Sequence, residues 1–251
     1  SHDPFFRDEA AFRKNFEAAL AVCAKHGLKA VPTLFNNWHS VPDFGGVSEE
    51  MIRYWFISYG KEGADPAYVF KPYLDALFRG HGADGRILAW DLCNEPFNSG
   101  PPETYTGWLR HAYGTARSLG AVQPVGVSVQ ASVRDLELVE EFSDVLMIHP
   151  YFAPKKPWDD LAAFARARGK ALLATECCWG SLDDAERAAI VAEDLAVLAG
   201  RDVGYLAYTL WESHVADHHR PRYGVVSSAG YMAFVHMDGT LRAGHDAFNR
   251  I

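Results

Sequence analysis

The stretch Ile87-Leu88-Ala89-Trp90-Asp91-Leu92-Cys93-Asn94-Glu95-Pro96 is an apolar run that stops in an Asn-Glu pair and a proline. Residues 86 to 92 read as a buried strand. The proline lacks a backbone donor and disfavours helical geometry in the residue before it, so the chain leaves regular structure at Glu95. A carboxylate is thereby set at the end of a strand. The pattern recurs in Ala171-Leu172-Leu173-Ala174-Thr175-Glu176, where an apolar strand again closes on a glutamate.

Helices and strands alternate outward from these two segments. Residues 8 to 26 put Phe12, Phe16, Ala19, Leu20 and Cys23 at helical spacing and stop at Gly27, after which Leu28 to Phe35 reads as a strand. Asp65 and Pro66 open a helix that runs to Arg79, ahead of the strand at 86 to 92. Further helices are predicted at 103–119, 133–142, 157–168 and 183–199, each followed by a strand, at 123–129, 144–149, 171–176 and 204–210. A last helix, 241–250, follows the turn Asp238-Gly239. Six alternations point to parallel strands joined by right-handed crossovers, in an open doubly wound sheet or a closed barrel.

Two features choose the barrel. No Gly-rich phosphate fingerprint follows the first strand, which counts against a dinucleotide fold. The strand ends instead carry the polar and aromatic residues: Asn36, Asn37, Trp38 and His39; Asn94 and Glu95; His149 and Tyr151; Glu176; Trp211 and Glu212. Barrel enzymes gather their catalytic residues at these ends, where all strands converge on one mouth. The expected fold is therefore an α/β (β/α)8 TIM barrel, with residues 1–251 as a single domain. Two of its eight strands have no counterpart. The chain opens almost directly into a helix, and we expect it to enter near the end of the second barrel strand, with Ser1 to Phe5 as a loop.

Composition narrows the partners. Among 251 residues, 24 Lys and Arg stand against 32 Asp and Glu, a net charge of −8, with no basic block, so neither nucleic acid nor an anionic membrane is an expected partner. No apolar run is long enough for a transmembrane helix and no signal peptide opens the chain, so no compartment follows. Seven Trp and 11 Tyr are ample for stacking on sugar rings. Cys23, Cys93, Cys177 and Cys178 have no metal-ligand spacing and read as buried thiols.

Two glutamates at the ends of strands three apart in order suit a retaining glycosidase, which needs one protonated and one ionised carboxyl flanking the anomeric carbon. The segments 87–96, His149-Pro150-Tyr151, Thr175-Glu176 and Leu210-Trp211 resemble, in order and position, those of clan A glycoside hydrolases, most nearly the family 5 cellulases and mannanases. The resemblance spans nearly the whole chain. It implies that Glu95 is the acid/base and Glu176 the nucleophile, that Asn94 bonds the sugar 2-hydroxyl and that Tyr151 orients Glu176. It further implies that His149 holds the acid/base or a substrate hydroxyl, that Trp211 floors the sugar subsite and that His39 is the histidine following the third strand. The expected substrate is a β-linked glycan such as cellulose, mannan or xylan, cleaved by a monomer without cofactor or metal. Phe35-Asn36-Asn37-Trp38-His39 and Phe44-Gly45-Gly46 look like mannanase loops. The family's second-strand arginine has no counterpart here, and Cys177-Cys178-Trp179-Gly180 departs from the aromatic-Gly that usually follows the nucleophile.

Other readings stand beside these. Trp38 and Trp179 fit a sugar subsite or packing under a loop, His149 could be a core histidine, and Glu212 suits an ion pair. A catalytically silent carbohydrate-binding barrel is one alternative; a metal-dependent barrel hydrolase using His149, Glu176 and His214, Asp217, His218 or His219 is another.

Overall fold

A computed structural model describes residues 2–36, 70–98, 101–211, 231–236 and 238–246. The chain divides into two compact units, Ser1–Met147 and Ile148–Ile251. The six described strands follow one another in sheet order, first to sixth. A doubly wound sheet reverses its order at a switch point, whereas a (β/α) barrel does not, so this order decides for the barrel fold.

The first unit contains helices α1 (His2–Arg7) and α2 (Glu9–Lys25), strand β1 (Thr33–Asn36), helix α3 (Lys71–His81) and strand β2 (Trp90–Asn94). Helix α4 (Pro102–Ser118), strand β3 (Val125–Gln130) and helix α5 (Val133–Val139) follow, and β4 (Leu146–His149) straddles the boundary. β2 pairs in parallel with β1, Phe35 opposite Cys93, and with β3, Trp90 opposite Val125. Trp90 is fully buried against Phe78 of α3, ring centroids 4.8 Å apart, and stacks on Phe16 of α2. Side chains alternate across a strand. Asp91 therefore points the other way, where its Oδ2 accepts hydrogen bonds from Ser128 Oγ (2.7 Å) and Thr33 Oγ1 (3.0 Å) on the neighbouring strands. Phe35, Phe70, Tyr73 and Trp108 complete an aromatic core in which Phe35 and Phe70 lie 4.7 Å apart.

The second unit carries helix α6 (Trp158–Arg168), strand β5 (Leu172–Ala174), helix α7 (Asp184–Ala199) and strand β6 (Gly204–Tyr205), with β5 and β6 parallel. Asp183 caps α7 by accepting from Glu186 N at 2.8 Å, as Asp8 caps α2 through Ala11 N. Gly169 ends α6 at φ 62°, a left-handed stop that a side chain disfavours.

Several expectations are corrected. Ser1 to Phe5 is not a loop: residues 2–7 form α1, whose Phe5 is buried edge-on against Phe12. The strand expected from Leu28 begins only at Thr33, with a single bridge from Ala30 to Ile87 ahead of it, and Leu28 is 60% exposed. Ala19 is exposed rather than part of the buried face of α2. The strand expected over 204–210 keeps two residues, and Leu210 is 70% exposed. Within 241–246 no α-helix forms; Leu241 bridges to Val235, while the expected turn stands, with Gly239 N donating to His236 O. Asp65 and Pro66 lie outside the described residues.

Candidate active site

In the first unit, Glu95 follows β2 with φ 46°, a left-handed backbone that is uncommon for a residue bearing a side chain, and its N–H donates to Ser128 O at 2.9 Å. It is 5% exposed. Both carboxylate oxygens are engaged: Gln130 Nε2 donates to Oε1 at 2.7 Å and Asn98 Nδ2 to Oε2 at 2.5 Å. Gln130 ends β3, and Asn98 closes the single 3₁₀ turn Pro96–Asn98 opened by the proline. Asn94 Nδ2 donates to Asn36 Oδ1 at 3.0 Å, joining the ends of β1 and β2.

In the second unit, Tyr151 Oη donates to Glu176 Oε2 at 2.6 Å. His149, 1% exposed, places Nε2 3.1 Å from Thr175 Oγ1 and Nδ1 3.7 Å from Glu176 Oε2. Trp179 meets Tyr151 edge-on at 5.3 Å and also touches the rings of Phe152 and Tyr231. His149, Tyr151, Glu176 and Trp179 thus form one cluster. Trp211 is 52% exposed; its backbone bridges to Val235 and its indole donates to His236 O at 3.2 Å. Trp38 and His39, Glu212, His214 and Asp217 to His219 lie outside the described residues.

The thiols suit packing rather than nucleophilic chemistry. Burial pushes Cys93 well up, and a hydrogen bond with Cys178, then burial, does the same to Cys177. Among the described residues no group of three or more His, Cys, Asp or Glu could hold a metal ion, and no helix is long and apolar enough to cross a membrane.

Gln130, Asn98, Asp194 and Arg187 are not among the residues expected from the sequence. Gln130 carries the same signal as Glu95, a polar residue closing an apolar strand, one residue beyond the strand expected at 123–129. Asn98 had none, because its contact depends on the turn after Pro96. Asp194 and Arg187 lie on the apolar face of α7 with Val191, Leu195 and Leu198, and all five are buried. Charge at those helical positions was the available sign.

No family model matches the chain, and no curated protein matches it by sequence. Solved structures do. Two structures of an endo-mannanase from Thermotoga petrophila match at 16% identity, covering 87% and 95% of this chain and 57% and 79% of theirs, with TM-scores of 0.61 and 0.65. A glycoside hydrolase family 5 mannosidase from Rhizomucor miehei matches at 14% identity over 90% of this chain and 70% of its own, TM-score 0.61. A β-glucuronidase from Bifidobacterium dentium matches at 14% identity over 93% of this chain and 38% of its own, TM-score 0.60. The chain thus spans 57% of the first mannanase structure and little more than a third of the glucuronidase. These likenesses establish a (β/α) barrel fold shared with glycoside hydrolases.

Proposed function

We propose that this chain is the catalytic barrel domain, 1–251, of a retaining β-glycoside hydrolase, with Glu95 as acid/base and Glu176 as nucleophile. The carrying observation is that each of two strand-end glutamates has its carboxylate oriented by a dedicated donor, Tyr151 at 2.6 Å for Glu176 and Gln130 at 2.7 Å for Glu95. The solved structures of like fold, which include mannanases, a mannosidase and a glucuronidase by name, support the activity class.

In the first step Glu95 gives its proton to the glycosidic oxygen while a Glu176 oxygen attacks the anomeric carbon and the bond to the leaving sugar breaks. In the second, Glu95 takes a proton from water, which attacks the same carbon and releases Glu176. Retention requires the two carboxyls about 5 to 5.5 Å apart. Asn94 is assigned the sugar 2-hydroxyl, His149 a neighbouring hydroxyl or the acid/base, and Trp211, Trp179, Trp38 and His39 substrate binding. The chemistry is complete without a cofactor or metal. The acting species is a monomer, and its substrate is a β-linked glycan, a β-mannan ahead of cellulose or xylan.

On an activated aryl β-glycoside, Glu176→Ala should lower kcat by at least about a thousandfold, and NMR of the first-formed product should show the β-anomer. Full activity in that variant, or an inverted product, overturns the mechanism. Reducing-end release from mannan, xylan, cellulose and mixed-linkage glucan identifies the substrate. Oligosaccharide binding without turnover on any of them makes the chain a silent carbohydrate-binding barrel.

A further inference from the structure

The pair Tyr151–Glu176 is framed by two backbone N–H groups that one side chain captures. Tyr151 leads at once into the 3₁₀ turn Ala153–Lys155, and Glu176 into the Cys177–Cys178 segment. Asp194, on the inner face of α7 and 2% exposed, accepts from Ala153 N with Oδ1 at 2.9 Å and from Cys178 N with Oδ2 at 3.1 Å. Each of these N–H groups lies two residues after a member of the pair. The backbone at both places is in the left-handed region, Phe152 at φ 59° and Cys178 at φ 71°, so neither turn is the default of its sequence.

A second side chain of the same helix fixes the next residues. Arg187, fully buried one face-repeat before Asp194, donates to Trp179 O at 2.8 Å, Tyr208 O at 3.2 Å and Met232 O at 2.9 Å, with its guanidinium 4.4 Å from the Phe234 ring centroid. A buried ionised carboxylate with no such work would be costly, and a leucine would fill the face more cheaply.

We propose that Asp194 is a positioning residue for the hydrolysis: one carboxylate grips the turns after Tyr151 and after Glu176 and so sets the hydrogen bond between them. This rests on the reading of Glu176 as nucleophile. Asn at 194 keeps the shape but turns one acceptor into a donor, which faces an N–H it cannot accept from. Misplacing a reacting group by about 1 Å costs on the order of a hundredfold, so kcat should fall ten- to a hundredfold with KM within about threefold.

The test compares Asp194→Asn with Val191→Ala, which cuts a cavity in the same buried helix face and removes no hydrogen bond to either turn. Val191→Ala should unfold at lower temperature with kcat per folded molecule kept, whereas Asp194→Asn should lose kcat per folded molecule whatever its melting temperature. Unchanged kcat per folded molecule in Asp194→Asn, or an equal loss in Val191→Ala, overturns the proposal. Should the wild-type chain turn over no β-glycoside, the mechanism proposed above falls and the catalytic role of Asp194 with it, while its grip on the two turns is read from the double-mutant cycle. A double-mutant cycle of Asp194→Asn with Tyr151→Phe in urea unfolding should be non-additive, because Asp194 holds the turn into which Tyr151 leads. Additive losses overturn it.

Discussion

Glu95 takes a left-handed backbone, a cost met by the Pro96 turn that brings Asn98 onto one oxygen while the end of β3 brings Gln130 onto the other. Its orientation is set by amides from two different elements, and removing one leaves the carboxylate room to rotate. Gln130→Ala should lower kcat about ten- to a hundredfold at nearly constant KM, with little loss of thermal stability, as steady-state kinetics and a melting curve would show. An unchanged kcat would mean that Asn98 alone suffices. The positions of the two glutamates were open to reading in the sequence because proline and strand polarity mark them locally, whereas roles for Asn94, Tyr151 and His149 came only from the resemblance. Gln130's contact was not open to reading, since it joins residues 35 apart.

At the scale of elements, the turn before β2 is tied to α2 by a three-part ion cluster. Arg86 donates to Asp84 Oδ2 at 2.6 Å and bonds Glu17 of α2 at 2.6 and 2.9 Å. The hydrogen bond from Arg86 holds the Asp84 carboxyl well below the usual carboxylate range and also lowers Glu17. A carboxylate depressed in the folded state contributes stability above its unfolded value, about pH 4, and that contribution disappears as pH falls toward the folded value. Arg86→Met should therefore be less stable than wild type at neutral pH, with the two urea-unfolding curves converging as the solution is acidified below about pH 4. Parallel curves across that range would show that the cluster adds nothing. Asp194 carries the opposite sign. Burial raises it, the N–H groups of Ala153 and Cys178 offset this in part, and the penalty is present above its folded value and relieved on acidification.

Across the whole molecule, the net charge of −8 comes with no block of Lys or Arg in the sequence, which suits an uncharged ligand. Salt screens charged encounters and leaves neutral ones alone. KM for a neutral β-glycan should thus change less than about twofold between low and high ionic strength, whereas a uronic-acid polymer would respond strongly. A steep salt dependence with neutral mannan would contradict the proposed substrate class.

The sequence by itself determined the alternation of elements, the strand polarity and the two strand-end glutamates. Each is written in local chemistry: apolar periodicity, glycine and aspartate at helix ends, and a proline that stops a strand. The tertiary structure alone decided what long-range contacts decide. Residues 2–7 coil into a helix whose Phe5 packs on Tyr73 of α3, Leu28 stays in solvent because its strand starts five residues later, and the strand after α7 keeps only Gly204 and Tyr205. The grip of Asp194 on the turns after Tyr151 and Glu176 likewise joins residues 41 and 16 positions apart, a separation over which no local pattern carries information.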